Sequence, residues 1–199
     1  MSTDTIPSSS EPDPKSRENT TTVSARRDKL LKRLKPYWMM EGANVVLVPF
    51  IAWFLVSVFA KGQITIAVLA AMLATSFLLI VGTFAWKMVV DGLEGNSKSE
   101  EHWTPWLDLA RWPALILTIL AVIATVVEAI STLPRISASL VGASLLCLLA
   151  ILEYVNYCHV QLQHFDHAED FQRLLSGKGF RQSHLSKSIR TFRQRTRKV

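Results

Sequence analysis

The stretch ITIAVLAAMLATSFLLIVGTFAW, Ile64 to Trp86, contains no Asp, Glu, Lys, Arg or His. An α-helix rises about 1.5 Å per residue and a bilayer's hydrocarbon core is about 30 Å thick, so about 20 such residues cross it. Its apolar side chains surround the whole helix circumference. A buried helix of a water-soluble domain shows a polar stripe or stops sooner.

Three further blocks flank it in a chain of 199 residues that is 49% hydrophobic. Ala43 to Ala60 carries no charge, Trp112 to Leu133 carries one acid, Glu128, and Ile136 to Cys158 carries one acid, Glu153. The pattern predicts an all-α integral membrane four-helix bundle, with spans at 43–60, 64–86, 112–133 and 136–158 inside a transmembrane domain 42–158. Pro49 fits a lipid-embedded helix, where neighbouring groups satisfy the backbone it frees. A long polar segment precedes the first block, which marks it as a retained anchor rather than a cleavable signal.

Charge sets the expected threading. All but Lys61 and Arg135 of the 22 Lys and Arg residues lie in the N-terminal segment, the loop at 87–111 and the C-terminal tail. Basic residues resist translocation, so the expected location is the cell membrane, multi-pass, with both termini cytoplasmic. The hairpins Lys61-Gly62-Gln63 and Pro134-Arg135 are too short for anything but antiparallel neighbours. Small residues at close spacing, Ala67, Ala70, Ala71 and Ala74 in the second span and Ser139, Gly142, Ala143 and Cys147 in the fourth, read as surfaces of close helix approach.

The flanks divide by composition. Residues 1–25 are rich in Ser, Thr, Pro and Glu, without apolar periodicity, and are expected to lack structure. Residues 26–41, with Arg26, Arg27, Lys32 and Arg33 around Leu30, Leu31 and Leu34, read as a basic amphipathic juxtamembrane helix at headgroup level. The cytoplasmic loop 87–111 begins as a polar linker and ends at Thr104-Pro105, a predicted cap and first helical residue. Trp103, Trp106 and Trp112 are placed as interfacial anchors.

The tail, 159–199, is read as a second basic amphipathic element. After Gly177-Lys178-Gly179, Ser183 caps a helix in which Leu185, Ile189 and Phe192 form an apolar stripe among Lys187, Arg190 and Arg193. Expected partners are the lipid bilayer, anionic lipid headgroups, and a protein partner or a second copy of the chain. Nucleic acid, the competing explanation for basic clusters, is set aside because a span begins at residue 43.

Between these lies the one ambiguous stretch, where the fourth span turns into Glu, Tyr, Asn, His and Asp. Glu153, Tyr154, Asn156, Tyr157 and His159 form the candidate polar site, since an ionisable group inside a membrane is a functional candidate by default. A helix continuing past residue 158 would place Asn156, His159, Gln163, Asp166, His167 and Asp170 on one wet side. His159, His167 and Asp170 on successive turns raise the question of a metal, but there is no His-Glu-x-x-His, so no metal ligand and no cofactor is assigned. Glu128 and Glu153 sit at opposite ends of the bundle and are not expected to pair. Phosphate-loop and nucleophile-elbow motifs are absent from the sequence, and no catalytic residue is assigned.

The segment EYVNYCHVQLQHFDHAEDFQRLLSGKGFRQSHL, Glu153 to Leu185, resembles the C-terminal part of uncharacterised four-span bacterial inner-membrane proteins. The resemblance implies four helices and a bacterial inner membrane, and transfers no chemistry. The expected function is non-enzymatic, a scaffold, assembly or regulatory subunit whose basic tail contacts anionic lipid or a protein. A small transporter or lipid-handling protein built around Glu153 is the alternative, and a metal-dependent membrane enzyme the third.

Overall fold

The computed structural model describes residues 14–59, 63–159 and 183–196. It consists of α1 (Pro14–Phe59), α2 (Ile66–Leu93), α3 (Ser97–Thr132), α4 (Ala138–Cys158) and α5 (His184–Thr196). No strand occurs among the described residues. The first four helices are each long and apolar enough to cross a membrane, and the chain is a multi-pass membrane protein by that architecture.

Helix α2 is the hub, packing on α1, α3 and α4 more extensively than any of these packs on another. Half of its most apolar window is buried in the bundle, against 6% for α1. The reason is side-chain size. Ala67, Ala71 and Ala74 are buried on α2, and Ser139, Ala143 and Cys147 on α4, which lets backbones approach and substitutes packing for the hydrophobic drive that lipid does not supply. Ala70 and Gly142 from the same predicted surfaces are only half-buried. Even so, a Cβ on Gly142 would meet Val56 of α1 at 2.8 Å.

Side chains start the later helices. Thr65 Oγ1 accepts from the Val68 amide at 3.4 Å, Ser137 Oγ from the Leu140 amide at 3.1 Å, and Ser183 Oγ from the Ser186 amide at 3.0 Å. Each satisfies a backbone donor that a helix start leaves orphaned.

Several boundaries differ from the sequence reading. Helix α1 is continuous from Pro14 through Pro36 and Pro49 to Phe59, so the basic segment 26–41 runs into the first span without a break instead of forming a separate helix. It also begins within the stretch expected to lack structure. The loop 87–111 is almost all helix: α2 runs on to Leu93 and α3 starts at Ser97, with Gly95 at φ +94° making the turn between them. Thr104 is therefore buried inside α3, donating to the Glu100 carbonyl at 2.5 Å, and not a cap. Pro105 and Pro113 both lie within the helix. Helix α4 ends at Cys158, and Asn156 is buried, so the wet side projected through it is not formed there. Residues 160–182, including Gln163, Asp166, His167 and Asp170, lie outside the described residues.

Candidate functional site

At the end of the bundle where α2 passes into α3, the four long helices bring their polar groups together. Tyr157 of α4 and Glu41 of α1 are both buried, and the Tyr157 hydroxyl donates to the Glu41 carboxylate. Gly82 of α2 makes room for that ring: a Cβ there would collide with the phenol's Oη, Cζ and Cε2. Gly82 lies sixteen positions beyond Ile66, so at the helical rise it sits roughly 24 Å from the far end of α2. In a core about 30 Å thick, the cluster lies just inside one membrane surface.

Glu153 stands one turn earlier on α4, close enough to Glu41 for the two carboxylates to interact. It is half-buried, and its Oε2 is buried with no hydrogen-bond partner among the described residues. Asn156 is buried beside it. Tyr154 is half-buried, packed against the apolar core shared by α2, α3 and α4, with its ring 5.6 Å from that of His159, which is exposed at the helix end. Of the predicted polar residues, Asn156 and Tyr157 are buried, Glu153 and Tyr154 half-buried, and His159 exposed at the rim.

Arg111 of α3 hydrogen-bonds the Cys158 thiol, and its charge acts on the Tyr154 hydroxyl. Its Nε is buried with no acceptor among the described residues, and its Nη1 lies 3.5 Å from Asp108. Asp108 is more tightly held by Arg193 of α5, through Nη2 at 2.7 Å and Nε at 3.0 Å. Those hydrogen bonds and the Asp108 charge hold the Arg193 guanidinium above its ordinary value.

Helix α5 is fixed to this end of the bundle by more than that pair. Leu185 and Ile189 are buried in a cluster with Met88, Leu107, Ala110 and Tyr157. Ser183 Oγ donates to the Tyr157 carbonyl at 2.7 Å, tying the helix start to the end of α4. Leu185 and Ile189 therefore pack on protein, and Lys187 and Arg190 are exposed.

The basic residues of α1 have two fates. Arg27 Nε donates to the Leu93 carbonyl, a cation on an orphan carbonyl at the C-terminus of α2, where the helix dipole favours positive charge. Lys35 pairs with Glu94 at 2.8 Å, and the side chains of Lys32 and Arg33 are exposed. Arg26 lies on α1 with its side chain outside the described set. Among the described residues no three His, Cys, Asp or Glu side chains assemble into a metal-sized group, and His167 and Asp170 fall outside them.

Glu41, Gly82, Asp108 and Arg111 were not singled out by sequence reasoning. Glu41 carried a usable signal, an acid that ends a basic stretch directly ahead of an uncharged span. No family model matches the chain, and it finds no match among curated proteins or solved structures.

Proposed function

We propose that the chain is a non-enzymatic subunit of a bacterial inner membrane, both termini cytoplasmic, that presents a rigid basic face to anionic headgroups or an acidic protein partner. It acts as a scaffold, assembly or regulatory component. The carrying observation is the burial of Leu185 and Ile189 on the bundle, which leaves Lys187 and Arg190 exposed at the same end as the exposed Lys32. A tail that inserted into lipid by its apolar side would need those two residues free. What remains for a partner is positive charge held in a fixed geometry, which gives specificity and steering more than raw affinity.

Charge reversal tests the reading in the full chain. With Lys187→Glu and Arg190→Glu combined, cross-linking in native membranes should lose the partner that wild type captures, while Glu153→Gln keeps it. A reporter behind Val199 should be active in the cytoplasm.

The unpartnered Glu153 Oε2 favours a second reading, a small transporter or lipid-handling protein with its site at Glu41, Glu153 and Tyr157. Under that reading the ranking inverts: Glu153→Gln abolishes activity in a correctly inserted protein, and the charge reversals have little effect.

A further inference from the structure

We propose that Arg111, with the Tyr154 hydroxyl and the His159 ring, forms a binding site for the phosphate of an anionic phospholipid in the groove between α3 and α4.

Three independent observations lead there. The first is depth. Arg111 lies twenty-one positions before the far end of α3 at Thr132, roughly 32 Å at the helical rise, which places it at the headgroup level of a bilayer whose core is about 30 Å thick. Trp112, 62% exposed, and Trp106, 39% exposed, flank it on α3, and Trp side chains settle at that boundary.

The second is charge balance. Asp108 has one carboxylate between two guanidiniums and gives its shorter contacts to Arg193, at 2.7 and 3.0 Å against 3.5 Å to Arg111. The Arg111 charge is left poorly compensated, and its Nε has no acceptor among the described residues. The third is the rim: the Arg111 charge acts on the Tyr154 hydroxyl, and the Tyr154 ring lies 5.6 Å from that of the exposed His159. A guanidinium at headgroup depth, with a phenol and an imidazole at the end of the neighbouring helix, offers donors to an anion with acceptor oxygens, which is how Arg recognises phosphate. A phospholipid has the phosphate at this depth and acyl chains to lie along the exposed apolar side chains of α3, such as Ile116 and Leu120.

The inference depends on the proposed orientation only for which leaflet supplies the lipid. Native mass spectrometry of the full-length protein in detergent, where orientation plays no part, reads binding separately. Titrated with phosphatidylglycerol and phosphatidylcholine, wild type should retain one phosphatidylglycerol in preference, and Arg111→Gln should lower that retention on the order of tenfold, the size of one lost charge-assisted contact. Arg135→Gln, an equal charge loss at the opposite end, should leave it unchanged. If Arg111→Gln does not fold, Tyr154→Phe with His159→Ala carries the test by the same loss. Equal retention by the rim variants, an equal drop with Arg135→Gln, or displacement of the lipid by millimolar inorganic phosphate would each overturn the assignment.

Discussion

The hydroxyl of Tyr157 donates to the carboxylate of Glu41 across 116 residues of sequence, and that contact joins the first helix to the last span inside the bundle. Helix α1 needs it more than the others do, because only 6% of its most apolar window is buried against protein. Where lipid is as apolar as leucine, a helix held by so little packing depends on polar ties.

Removing the donor tests that dependence. Tyr157→Phe keeps the ring in the space over Gly82 and deletes only the hydroxyl, leaving the buried Glu41 carboxyl without that donor. A loss of about 1–2 kcal/mol is expected, above the membrane average of about 0.6 kcal/mol because the acceptor is an acid. Glu41→Gln, which keeps an acceptor oxygen, should cost less than half as much. Reversible unfolding in mixed micelles with a double-mutant cycle measures both, and a coupling energy near zero would show that α1 is held by packing alone.

The space over Gly82 supplies a second prediction. A methyl there meets the buried Tyr157 ring, so Gly82→Ala forces the phenol out of position and breaks its hydrogen bond; overpacking of this kind costs about 1–3 kcal/mol. Gly42→Ala on α1 is the matched control, since its Cβ would lie an ordinary 3.5 Å from Thr83 and should be nearly neutral. Combining Gly82→Ala with Tyr157→Leu should recover much of the methyl's packing penalty, measured by thermal denaturation of the detergent-solubilised protein.

Fold and site were unequally legible in the sequence. The uncharged runs predicted the four spans because lipid imposes one rule on every residue of a crossing helix, and that rule is readable one block at a time. Boundaries were less legible, since charge was used to end each span: Lys87 seemed to close the second span and open a loop, yet the helix runs on past Asp91 to Leu93. The same assumption put Glu41 outside the membrane and hid its pairing with Tyr157. Gly82 had no local signal, because its constraint comes from a ring on another helix. Ser183 was legible as a cap because capping depends on residues three positions away. That Leu185 and Ile189 face the bundle instead of lipid depends on where the chain returns after residue 182, which no periodicity encodes.

How α5 is held decides what releases it. Beside the Ser183 tie to the Tyr157 carbonyl at its start, the helix is attached by the buried Leu185 and Ile189 and by the exposed Arg193–Asp108 pair. Exposed ion pairs are screened and contribute little, whereas truncating a buried Ile costs about 2–4 kcal/mol. Ile189→Ala should therefore accelerate amide exchange across residues 184–196 strongly, and Asp108→Asn only slightly and less as salt rises. Hydrogen exchange by mass spectrometry reads both. Faster exchange in Asp108→Asn than in Ile189→Ala would make the ion pair the principal attachment.

At the opposite end of the bundle, Thr65 does two jobs with one oxygen. Its Oγ1 donates to Glu128 Oε2 on α3 at 2.5 Å and accepts from the Val68 amide at 3.4 Å, starting α2 while tying it to α3. The other carboxyl oxygen of Glu128 is buried without a partner among the described residues, so the threonine carries much of that group's satisfaction. Thr65→Val preserves shape and removes both bonds; a cap is worth about 1 kcal/mol and the lost hydrogen bond to a buried acid about 1–3 kcal/mol more. Thr65→Ser should retain most of the stability, and adding Glu128→Leu to Thr65→Val should recover the second part but not the first. Stability curves for the three variants separate the roles: if the double variant is no more stable than Thr65→Val alone, the carboxyl is not what the threonine serves.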